Sequence, residues 1–289
     1  MTEAPSGSGP AAESTGAAAH RSGTRSDLVR QLVVVVAAVV AIAGAFLGSG
    51  AAGGQRIQDA AGGWLDDDST LIAPAGPAFS IWTLIYLGLA AYAVWQLLPS
   101  QRASERHRLL GYPVAASMLL NAVWILVVQA GLLWVSVLVI AVLLALLGWM
   151  YRACVRHPPH RFTDALLTDG TIGLYLGWVT VATAANVTAA LQSTGFDGWG
   201  IAPEVWAIVV IAVAVAAIGA TGVASHGGLA PMLSSCWGLA WLAVGRLTGE
   251  PASVAVGVAA IVGIVVIVAV TLVARFADGR NRRLGGRPA

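Results

Sequence analysis

From Gln31 onward the chain alternates long apolar runs with short polar breaks. Each run is close to the ~20 residues that a helix needs to cross ~30 Å of hydrocarbon. The runs are Gln31–Gly50, Pro77–Leu98, Leu109–Ala130, Leu132–Arg152, Asp169–Leu191, Pro203–Ser225, Leu229–Arg246 and Ala252–Phe276. They predict an all-α polytopic transmembrane bundle of about eight spans. Only Gly131 separates the third run from the fourth, so those two form a tight antiparallel hairpin. The seventh is the weakest, because Ser234, Ser235 and Cys236 interrupt it and Arg246 ends it. Residues 1–30, rich in Ala, Gly, Ser and Thr, bury too little apolar surface to fold and predict a disordered tail. The first run, with Arg upstream and GSGAAGG downstream, also has the outline of a cleaved signal peptide. Its leader is longer than a usual n-region, which favours a retained anchor.

Composition agrees with the pattern. Of 289 residues, 57% are hydrophobic and 10% charged, against about 25% charged in soluble domains. The net charge of +2 offers no basic patch for nucleic acid. Every Lys-or-Arg position is Arg, and all but Arg56 and Arg246 fall on one set of loops and tails. That set comprises the amino-terminal tail, the second-to-third and fourth-to-fifth connections, and the carboxyl end from Arg275 through the basic tail 277–289. The positive-inside rule then places both termini in the cytoplasm of a plasma-membrane protein.

Chemistry-bearing residues are sparse. Asp164, Asp169 and Glu204 stand where helices start, which suits a carboxylate at a positive dipole end. Arg246 and His226 stand at span ends, where snorkelling would explain them. Cys154 and Cys236 lie at unrelated depths, so a disulfide is not expected. His157 and His160 read as a solvated loop rather than a metal site, and no resident metal or cofactor is implied. No acid–base pair, HExxH or phosphate loop supports an enzyme, and no central carboxylate supports an ion-coupled pump.

What remains is aromatic and amide. Helical spacing puts Phe79, Trp82 and Tyr86 on one face of the second span, and Asn121 with Trp124 on one face of the third. Tyr175, Trp178, Ala182 and Asn186 form a row on the fifth. With the spans alternating in direction, these sets lie at similar depth towards the outer side. Tyr92 and Trp95, on the opposite face of the second span, read as an interfacial belt. Two readings are open. Either the amides bond between helices while rings fill gaps, or the set lines a small-molecule pocket.

Three of these stretches resemble the TspO/MBR family, the tryptophan-rich sensory or translocator proteins. Trp82, Thr83 and Tyr86 match its W-T-x-x-Y, Leu120, Asn121 and Trp124 its L-N-x-x-W, and Tyr175, Trp178, Ala182 and Asn186 its Y-x-x-W-x-x-x-A-x-x-x-N. The resemblance covers roughly Gln31 to Leu191 and implies a five-helix TspO-like bundle over 31–192, with three additional spans over 203–276. It implies a pocket opening towards the first-to-second loop, with Asp66–Pro77 as its lid, and a porphyrin-like or sterol-like flat ligand. The chain departs from the family at Leu174, usually Pro, in the Pro77–Phe79 spacing, and in a lid whose nearest Trp is Trp64. Binding or sensing is the favoured role, with export of hydrophobic metabolites the alternative. The last three spans are free to pack against the pocket, extend it, or form an oligomer contact such as a homodimer's.

Overall fold

The computed structural model describes residues 24–48, 50, 56–57 and 59–285, and among these it is all-helical. Eight helices follow in order: α1 (Arg25–Gly48), α2 (Ile81–Leu97), α3 (Glu105–Gln129), α4 (Leu133–Arg156), α5 (Phe162–Ser193), α6 (Pro203–Ala224), α7 (Leu229–Thr248) and α8 (Val254–Gly285). A 3-10 turn over Gly76–Ser80 leads into α2, and α5 contains a π-helical turn over Ala165–Gly170. All but α7 are long and apolar enough to cross a membrane. α7 falls short because Pro231, Ser234, Ser235, Gly238 and Arg246 are buried between helices, where an apolar surface for lipid is not needed.

The expected hairpin at Gly131 is present; its φ of 74° suits a residue without Cβ. The tail reading for residues 1–23 lies outside the described residues, but α1 begins at Arg25 rather than at Gln31. Asp27 and Arg30 in its first turns are buried, and Asp27 accepts from Arg30 at 3.2 Å and from Arg108 at 2.7 and 2.8 Å. Further along, Gly44 and Gly48 bring α1 close to Ala122 and Ile125 of α3.

The arginine-rich end is tied by polar contacts that helix-start arguments did not foresee. Asp164 and Asp169 both pair with Arg106 of α3, so they bridge helices rather than only facing a dipole. Tyr92 is not an interfacial residue. It is 1% exposed, with its ring edge against His107 at 5.6 Å. Cys154 and Cys236 are both free.

α7 joins the two parts of the bundle. One apolar cluster fills α1–α5, and a second is built from α6, α7 and α8 with Ile72 of the first loop. α7 meets α5 closely at Gly173 and Gly177, and Ser235 Oγ donates to the Gly177 carbonyl at 3.0 Å. A Cβ on Gly177 would lie 2.2 Å from both the Pro231 carbonyl oxygen and Ser234 Oγ. Gly177→Val is therefore expected to lower the thermal midpoint, by overpacking worth about 1–3 kcal/mol or more. Gly148→Ala, where an added Cβ meets nothing within 4 Å, should leave the midpoint unchanged in the same melt.

Candidate functional site

The start of α2 faces α3 and α5 at the end opposite the arginines, and the three motifs converge there. Trp82 stacks on Tyr86 at 5.4 Å and 28°, and meets the edges of Tyr175 at 5.7 Å and Trp178 at 6.3 Å. Phe79, in the 3-10 turn, meets Trp178 edge-on at 5.7 Å. Such offset and edge geometries are the favoured ones for rings.

The two asparagines lock this set from behind. Asn121 Nδ2 donates to the Tyr86 hydroxyl at 2.6 Å. Asn186 Oδ1 accepts from Trp124 Nε1 at 2.9 Å, while Asn186 Nδ2 donates to Ser136 Oγ at 2.9 Å. Ser136 also donates to the Leu133 carbonyl at 2.7 Å, so α3, α4 and α5 share one bonded chain. The asparagines thus bond between helices, and they hold Tyr86 and Trp124 in place. Tyr175 likewise donates to the Ser117 carbonyl at 3.3 Å and supports Trp82 from beneath.

Two cavities lie in front of these residues. The larger, about 330 Å³, is bounded by Ala45 and Gly48 of α1, Phe79, Trp82 and Tyr86, and Trp124 of α3. Arg56 and Ile57 of the first loop stand at its rim. The smaller, about 30 Å³, holds little more than a water. Trp64 and Leu65 of the loop cover it, above Trp178, Ala182 and Asn186. Ile57, Phe79 and Trp124 are common to both and form the wall between them. Of the residues singled out in sequence, Asn121 and Tyr175 line neither cavity; the other seven do. The α1 wall was missed because Ala45 and Gly48 carry no chemical signal. The indole N–H of Trp178 is buried without an acceptor among the described residues, an arrangement that usually costs about 1–3 kcal/mol.

The loop over the cavities is held by α7. Arg246 is 1% exposed and does not snorkel. Its guanidinium donates to the carbonyls of Asp67 at 2.6 Å and Thr70 at 3.0 Å, and to those of Glu250 at 3.2 Å and Pro251 at 3.0 Å. Ala75 N donates to the Trp241 carbonyl at 3.2 Å, and Trp237 Nε1 to the Ala78 carbonyl at 2.9 Å. α7 thus reaches the cavity through its loop.

Fold and site together define a multi-pass membrane protein with an aromatic cavity under a pinned loop at one end of its bundle. The family model described as TSPO-like protein matches residues 31–273, and the chain belongs to that family. The match runs into α8, beyond the five spans that the motifs cover. No curated protein and no solved structure gave a match.

Proposed function

We propose that the protein binds a flat hydrophobic molecule, a tetrapyrrole or sterol-like ring, in the aromatic cavity. The observation that carries this reading is the cavity itself: about 330 Å³, walled by Phe79, Trp82, Tyr86 and Trp124. That volume is at the lower end of small-molecule sites. Asn121 acts by fixing Tyr86 rather than by touching the ligand, while Asn186 fixes Trp124 and also lines the smaller cavity. Trp178 supplies a spare indole N–H for a polar atom on the ring system. A macrocycle would occupy both cavities once the loop shifts and Phe79 turns aside.

Arg56 at the rim favours an acidic ligand. Its guanidinium is paired with Asp59 at 3.0 Å and is 64% exposed, so it can exchange partners with an incoming carboxylate. In this reading the protein sits in the cytoplasmic membrane, and the bias of arginine to one end supports having that end inward. Below Tyr86 the bundle is filled by Leu89, Met118 and Tyr175, which supports binding over passage through the protein.

Titration of the purified protein with protoporphyrin IX, followed by tryptophan quenching, tests the reading. Saturable quenching is expected, and its absence would remove it. Arg56→Ala should weaken protoporphyrin IX about two- to five-fold, the scale of an exposed ion pair, while leaving its dimethyl ester unaffected. Equal losses for acid and ester would show that Arg56 does not meet a carboxylate. Flux of the same ligand across proteoliposomes separates a binder, which gives none, from an exporter.

A further inference from the structure

At the arginine-rich end, away from the aromatic cavity, α4 and α6 each pack on α5 but not along one another. Between them lies a groove of about 680 Å³ with Leu176 and Thr180 of α5 as its floor. Its walls are Leu144 and Gly148 of α4 and small residues of α6, including Ala217. Thr180 and Thr221 turn their hydroxyls onto carbonyls of their own helices, at 2.8 and 2.9 Å, so these walls are apolar in effect, while Tyr151, Ser225 and His226 also line the groove. At Gly148 the wall stands clear, since an added Cβ would meet nothing within 4 Å.

The end of the groove has a different character. Arg152 and Arg156, one helical turn apart on α4, both line it and both are exposed. Neither forms an ion pair with a described residue. The acids of this end are engaged elsewhere: Asp27 by Arg30 and Arg108, and Asp164 and Asp169 by Arg106. Of the other acids on this side, Glu105 opens α3 and Asp278 lies 3.5 Å from His226. Two unpaired guanidiniums thus cap an apolar channel that runs along a membrane-spanning helix.

We propose that this groove is a binding site for an anionic phospholipid. One acyl chain lies between α4 and α6, and the headgroup phosphate bridges Arg152 and Arg156. Guanidinium suits phosphate because its N–H groups meet two oxygens at once, and basic pockets between spans at the cytoplasmic side are known to select such headgroups. A zwitterionic lipid would fill the same channel but gain less at its end. The site is independent of the aromatic cavity and does not rest on what that cavity binds.

The test uses the full chain in nanodiscs of mixed phosphatidylglycerol and phosphatidylcholine, with lipids retained after release counted by native mass spectrometry. Wild type is expected to favour phosphatidylglycerol, by about five-fold for each arginine. Arg152→Gln with Arg156→Gln should abolish the preference, and the paired Lys variants should keep most of it. Gly148→Leu fills the channel and should lower retention of both lipids. Equal retention of the two lipids by wild type would overturn the proposal, as would a preference that survives the double Gln variant. Undiminished phosphatidylglycerol on Gly148→Leu would overturn the placement of the chain.

Discussion

Arg246→Ala is expected to release the loop that covers the aromatic cavity, with amide exchange over residues 67–76 rising about 100-fold. The size follows from what the guanidinium does. It is buried, pairs with no carboxylate among the described residues, and serves four backbone carbonyls on two loops at once. Hydrogen bonds to a charged group contribute about 1.5–3 kcal/mol each and are not additive. A net loss of about 3 kcal/mol for local opening is a conservative figure, and it corresponds to roughly 100-fold in exchange. Asp67 transmits the effect, since its carboxylate accepts from Gly76 N at 3.0 Å at the threshold of α2. Arg246→Lys should fall between, because one ammonium lacks the fork that spans two loops. Hydrogen exchange read by mass spectrometry checks this, and unchanged protection in Arg246→Ala would show that the loop is held by other contacts.

Trp82→Ala is expected to weaken protoporphyrin IX at least ten-fold. Trp82 is the ring common to the aromatic cluster: it stacks on Tyr86 and meets Tyr175 and Trp178 edge-on. A ligand loses one stacking face, worth about 0.5–1.5 kcal/mol beyond burial, together with the apolar contact area itself. Adding Trp178→Ala removes the spare N–H and the wall beyond Phe79, so the pair should lose more than either alone. Trp199→Ala, at a loop position 77% exposed, is the control for loss of a fluorophore. An unchanged dissociation constant in the double variant would remove the proposed site.

Helix positions and the meeting of three motifs were legible in sequence, and the reasons are local. Runs of about 20 apolar residues can only be helices in lipid, and i, i+3 and i+4 spacings put Asn121 with Trp124 and Tyr175 with Trp178 and Asn186. Three features were not legible because they depend on partners far along the chain. Arg246 looked like a residue at a span end, but the carbonyls it serves lie on the first loop. Tyr92 had the position of a belt residue, yet His107 of α3 covers it. Asp164 and Asp169 suited helix starts, and only the fold shows Arg106 between them. The asparagines carried an ambiguity that spacing could not settle. In the structure they bond to Tyr86, Trp124 and Ser136, which are helix-to-helix bonds, and Tyr86 and Trp124 in turn line the larger cavity.

The most direct test of the central claim is a structure of the protein with protoporphyrin IX bound. The account predicts the macrocycle against Trp82 and Trp124, beneath the loop that Arg246 holds, with an acidic substituent towards Arg56 and the Asn121–Tyr86 bond intact. A macrocycle seated elsewhere, with Trp82 still touching only helices, would contradict it.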